Sequence, residues 1–296
     1  MSVIDTTRDN AFVSGTAEAD SITNSGDNAT IDALAGDDTV KSSGAQVSID
    51  GGAGNNLVSL ASDAYLSVVA GSGNDTVCLG DSDETAEKQF HSNVNISGGN
   101  NYIRNAAELS TINAGAGNDT IITGCGVGNS DYNDAYGRSD VLGTYSDKYA
   151  SVAAGAGDNQ ITVTTYMYQG RISTKDGNDT VLTAESSNST INAGNGNNFV
   201  TIGGSGEGNE IIAGKGDDFI SLASSSTGNA ISVGSGNNTV YGEGIGQSVS
   251  AGGGNIMSVC SKAATQASWR ARATIPSSSA TTGARPPKSN ITTESA

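Results

Sequence analysis

Isolated aliphatic residues recur through this chain on either side of a short glycine-rich stretch. Before the stretch stand Ile31, Ile49, Val68, Ile96, Ile112, Val152, Ile172, Ile191, Ile211, Ile231 and Val249. After it stand Val40, Val58, Val77, Ile103, Ile121, Ile161, Val181, Val200, Ile220 and Val240. Each is flanked by small or polar residues, the alternation of a short strand with one buried face. Every unit therefore reads as strand, glycine turn, strand, variable turn. No stretch repeats at helical spacing.

The turns fix the length of the unit. The clearest reads Ala114-Gly115-Ala116-Gly117-Asn118-Asp119-Thr120-Ile121, and relatives run from end to end. Their second glycines are Gly36, Gly54, Gly73, Gly99, Gly117, Gly157, Gly177, Gly196, Gly216, Gly236 and Gly254, most of them 18 to 20 residues apart. A unit of that size cannot bury its own apolar face, so units must stack. The expectation is an all-β, right-handed parallel β-solenoid, or β-roll, of about eleven or twelve rungs, with two facing aliphatic ladders as its core. Residues 1–28 are expected to form an N-terminal cap, with Gly15 to Ile22 a distorted copy of the turn, and residues 29–255 the repeat domain. Two irregular intervals mark insertions at 81–93 and 124–149.

Composition agrees and narrows the function. The 296 residues include 41 glycines but only three prolines, and aromatics make up 5%. The formal charge of −17 argues against nucleic acid and anionic surfaces as partners and favours cations. Three cysteines (Cys78, Cys125, Cys260) fit neither a disulfide framework nor a paired metal spacing. No apolar run is long enough to span a membrane. The start, Met1-Ser2-Val3-Ile4-Asp5, lacks the basic and apolar regions of a Sec-type signal.

The turns resemble degenerate copies of the G-G-x-G-x-D-x-U-x nonapeptide of RTX (hemolysin-type) calcium-binding repeats, with one motif per rung, over roughly residues 15–255. The resemblance implies an extracellular module in which aspartate carboxylates and glycine carbonyls hold Ca²⁺ along one edge. Proteins of that family are normally exported by a C-terminal signal, which a frameshifted end of this chain would lack. Carried over, the motif aspartate falls on Asp38, Asn56, Asp75, Asn101, Asp119, Asn159, Asp179, Asn198, Asp218 and Asn238. The residue before it adds acids at Asp37, Asp158 and Asp217. The candidate metal ligands are thus Asp37, Asp38, Asp75, Asp119, Asp158, Asp179, Asp217 and Asp218.

The alternation of Asp and Asn departs from the family pattern. Carboxylates on adjacent rungs, ~4.8 Å apart, repel by ~3.5 kcal/mol at an effective dielectric of 20. Alternation doubles that separation, and an Asn amide can donate to the carboxylate beside it. Two readings follow. One is a calcium-binding module with a structural or adhesive role. The other is a metal-independent surface solenoid, closed by an Asn/Asp ladder, that binds a glycan or protein through its inserted loops.

An enzyme is not expected. His91 is the single histidine and has no nucleophile signature around it, and the carboxylates pair only because acidic turns repeat. Asn118-Asp119-Thr120 matches a glycosylation sequon but lies inside a tight turn. Thr39, Thr76, Thr120, Thr180 and Thr239 form part of an outward row of the kind that can bind ice, but Leu57, Tyr102, Phe199 and Phe219 interrupt it. The tyrosine-rich insertion 124–149 is the candidate surface for a glycan or protein partner. Residues 256–296 carry five basic residues, one acid and all three prolines. They read as a disordered tail, and codon degeneracy permits the repeat motif there in another reading frame.

Overall fold

The computed structural model describes residues 1–61, 64–80, 90–106, 109–124, 146–242 and 244–259. Most of both insertions and most of the tail lie outside these residues. The described chain is an all-β parallel solenoid of two long sheets. Strands that follow the glycine turn pair in chain order as sheet A, from Val3–Thr6 to Gly254–Val259. Strands that precede it pair as sheet B, from Phe12–Thr16 to Ser248–Ala251. Every pairing is parallel, and each connects residues one rung apart, as in Val40↔Val58 and Ile211↔Ile231. The first 28 residues already contribute three strands in register with the rest. No helix among the described residues is long and apolar enough to cross a membrane.

The core lies between the sheets and contains the aliphatic residues expected from the pattern. Ile31, Val40, Val58, Ile121, Ile161 and Val200 are all fully buried. One position differs from expectation. Val94, not Ile96, pairs with Val68 and Ile112; Ile96 stands two residues on, opposite Ala70. Both residues point inward because a strand repeats every second residue. This second inward row is built mainly of alanine (Ala33, Ala70, Ala114, Ala154, Ala193) beside the glycine turn.

A second corner recurs with the glycine turn. Asn10, Asn28, Gln46, Tyr65, His91, Leu109, Tyr149, Gln169 and Asn188 adopt φ between 46° and 60°, followed by Gly208, Gly228 and Gly246 at 65° to 74°. One left-handed residue thus opens each sheet B segment. From Asn28 onward it always lies eight residues before the second glycine of the turn: 28 to 36, 91 to 99, 149 to 157, 246 to 254. All variation in rung length falls on the other side of the turn, in sheet A and the loop that closes it. Both insertions leave from that loop.

Candidate metal centre

The glycine turns stack directly on one another. The second glycine of each turn from Gly36 to Gly254 has φ between 104° and 149°, where a side chain is strained. From Gly54 onward a Cβ would also strike the carbonyl of the glycine one rung below. The result is a column of glycine carbonyls along one edge of the solenoid.

Beside that column runs a buried ladder of motif Asp and Asn side chains. Asp38, Asn56, Asp75, Asn101, Asp119, Asn159, Asp179, Asn198, Asp218 and Asn238 are at most 2% exposed. Each side chain uses Oδ1 to accept a backbone N–H from the motif residue one rung earlier. Asp38 N donates to Asn56 at 3.1 Å, Asn56 N to Asp75 at 2.9 Å and Asp75 N to Asn101 at 2.9 Å. The pattern continues to Asp218 N on Asn238.

The two residue types then diverge at their second atom. Each Asn directs Nδ2 at its own turn: Asn56 donates to Gly54 O, Asn101 to Gly99 O, Asn159 to Gly157 O and Asn198 to Gly196 O, at 2.9 to 3.2 Å. The same amides donate to the following aspartates, Asp75, Asp119, Asp179 and Asp218, at 2.8 to 3.1 Å. In each aspartate the atom equivalent to Nδ2 is Oδ2, an acceptor where the turn also presents acceptors. Oδ2 of Asp38, Asp75, Asp119, Asp179 and Asp218 is buried without a hydrogen-bond partner. Burial accordingly raises all five carboxyls above the ordinary aspartate range, and the hydrogen bonds from their neighbours offset it only in part.

Asp20, at the head of the ladder, is the contrast. Its Oδ1 accepts Ser2 N, and its Oδ2 accepts both N–H and O–H of Thr16. The bond from Ser2 leads the effects that place its carboxyl below the ordinary range, and the Thr16 bonds add to it. A buried aspartate here is thus satisfied when the turn supplies a donor.

Asp37, Asp158 and Asp217 occupy a separate, outward ladder. Their Oδ1 atoms accept N–H groups from the following rung, from Asn55, Asn178 and Asn237, at 2.6 to 2.7 Å. The two ladders therefore run in opposite directions: the inner side chains accept from the rung before, the outer ones from the rung after. Among the described residues no three His, Cys, Asp or Glu side chains converge on one point. Each aspartate rung thus presents one unpartnered inner carboxylate oxygen beside the carbonyls of its glycine turn.

Sequence reasoning missed the left-handed corner. Asn10, Asn28, Asn188 and the three glycines are residues that tolerate this conformation, but Gln46, Tyr65, His91, Leu109 and Tyr149 hide the series. His91 has a structural place there, its ring stacked on Tyr65 at 5.2 Å. The candidate surface at 124–149 lies largely outside the described residues.

No protein-family model matches the chain, and no curated protein matches its sequence. Among solved structures, it is similar to a hyperactive, Ca²⁺-dependent, β-helical antifreeze protein from an Antarctic bacterium. The identity is 19%, the match covers 86% of this chain and 83% of that one, and the TM-score is 0.48.

Proposed function

We propose that this β-solenoid is a calcium-responsive structural module of the RTX-like kind, with ions held at alternate rungs by Asp38, Asp75, Asp119, Asp179 and Asp218. The observation that supports this is the set of five buried Oδ2 atoms without partners, each at the place from which an Asn amide donates to glycine carbonyls. A site offering a carboxylate oxygen and carbonyl oxygens, and no hydrogen, suits a hard cation. In the Asn rungs the amide N–H groups replace the ion. Asp37, Asp158 and Asp217 lie outside the sites and contribute field rather than ligands. In this reading the protein works where calcium is plentiful, secreted or at the cell surface, in a structural or adhesive role without catalysis.

Calorimetric titration of the chelated chain with Ca²⁺, followed by circular dichroism, tests it. The expected result is heat of binding that saturates near one ion per unpartnered aspartate, with a rise in thermal stability. A chelated protein that is fully stable and takes up no calcium would overturn the reading.

A second reading is favoured by the bonds from Asn Nδ2 to Asp Oδ1, which already close four of the rung pairs. There the ladder is metal-independent, the aspartates carry protons in the turns, and the inserted loops bind a glycan or protein. The same titration separates the two.

A further inference from the structure

The outer face of sheet A is unlike the rest of the surface. In the eleven strands between its first and last, from Ser21–Asn24 to Gly236–Gly242, the two outward positions of each registered core carry no carboxylate. The charged residues among them are Lys41 and Arg104. Sheet B, by contrast, turns Asp32, Asp50 and Glu210 outward. Sheet A also exposes large apolar groups: Leu57, Tyr102, Phe199, Phe219, Tyr241 and Met257 are each 37% to 56% exposed. Phe199 and Phe219 stack at 5.0 Å with their planes within 5°, raising a ridge between the hollows left by Thr180 and Thr239.

We infer that sheet A is a self-association surface on which a second copy of this chain packs, antiparallel, about a two-fold axis. Three observations select that occupant. Two chains of charge −17 repel, and this wall lets them meet without opposing carboxylates. The wall is large enough: eleven strands at ~4.8 Å and four residues at ~3.3 Å give a footprint of roughly 700 Å², within the range of one partner's share in a standard stable interface. Finally, the Leu57 strand and the Phe199 strand are each the fourth from their end of the thirteen-strand path. An antiparallel two-fold therefore seats the aromatic ridge on the Leu57 rung and its threonine neighbours, an isologous contact that closes at two copies.

The test is the solution mass of the full chain by light scattering, with calcium and with chelator. The expected mass is twice that of the 29.5 kDa chain in each condition. Added salt, by screening the repulsion between copies, raises the dimer fraction. Phe219→Glu puts a carboxylate into the wall and returns the mass to that of one chain with an unchanged circular dichroism spectrum. Ser232→Glu, on the outer face of sheet B, leaves the dimer intact. Cys78 faces outward on sheet A and supplies a readout that requires no change to the wall. In a Cys125→Ser, Cys260→Ser background its thiol reacts slowly when the protein is concentrated and several-fold faster on dilution. A single-chain mass for the wild type overturns the inference, even if a neutral glycan binds the face. So does a dimer that survives Phe219→Glu, or a Cys78 whose reactivity ignores dilution.

Discussion

Asn101 grips Asp119 twice, with its backbone N–H and its side-chain Nδ2 both 2.9 Å from the same Oδ1. The other oxygen of Asp119 receives nothing. Asp119→Asn should therefore remove a cation site and strengthen the metal-free chain together. The new amide would donate to the turn carbonyls as Asn101 does, filling a need that costs about 1–3 kcal/mol when left unmet. Titration should show one ion fewer, and thermal unfolding in chelator should show a higher midpoint. A lower midpoint would mean that Oδ2 of Asp119 is already well satisfied.

The same carboxyls set a pH dependence. Burial raises the carboxyls of Asp38, Asp75, Asp119, Asp179 and Asp218 above the ordinary aspartate range. A carboxyl raised in the folded state adds stability below its unfolded value, and this is lost as pH rises through the folded value. Asp20 is shifted the other way and adds stability above 3.8 that is lost as pH falls. Five groups outweigh one, so in chelator the unfolding temperature should decline as pH rises from about 4 towards neutrality. Saturating calcium, by favouring the carboxylate, should flatten or reverse that slope. Parallel slopes with and without calcium would separate the ions from these side chains.

The left-handed corner gives a matched pair of substitutions. Leu109 holds φ 53° with a side chain that the conformation disfavours. Leu109→Gly should relieve about 1–2 kcal/mol of strain and return part of it as chain entropy, leaving the protein as stable or up to about 1 kcal/mol more so. Gly228 has φ 65° and open space around the place of a Cβ. Gly228→Ala should thus cost about 1 kcal/mol from the backbone alone. Denaturant midpoints at constant slope read both effects.

Glycine in the opposite turn is a harder constraint. Gly117 has φ 144° and lies against the Gly99 carbonyl. Gly117→Ala should cost at least about 2 kcal/mol, since strain and collision combine. Because the column passes through this rung, calcium binding at Asp119 should weaken as well. A variant with the wild-type midpoint would show that the stack yields.

The repeat, its two aliphatic rows and the motif Asp/Asn series were legible because each reflects a steric rule acting on one side chain. Val40 must point inward wherever a strand repeats every two residues, and Gly117 must be glycine wherever carbonyls stack. Ile96 was misplaced by one strand period because Val94 and Ile96 are both aliphatic and both inward, so only the eight-residue span separates them. The left-handed corner was hidden because a stacked solenoid can hold Tyr65 and His91 in a conformation their side chains disfavour. The alternation shows that an Asn amide can donate to the carboxylate beside it, but not that the same amide also bonds its own turn, because that depends on where Nδ2 is aimed. The direction of each ladder is a property of backbone placement and leaves no mark on residue type.

From Asp38 onward the inner ladder has a phase. An aspartate rung completes the asparagine rung before it, so the true repeating cell is two rungs, such as the 39 residues from Gly157 to Gly196. Excising one asparagine rung would set two carboxylates side by side, whereas an added asparagine rung is accommodated, as Asn209 and Asn229 pair by the same two bonds in the opposite corner. The ladder can therefore grow by amides one rung at a time, but its carboxylates must stay apart, a spacing rule written into its side chains rather than its fold.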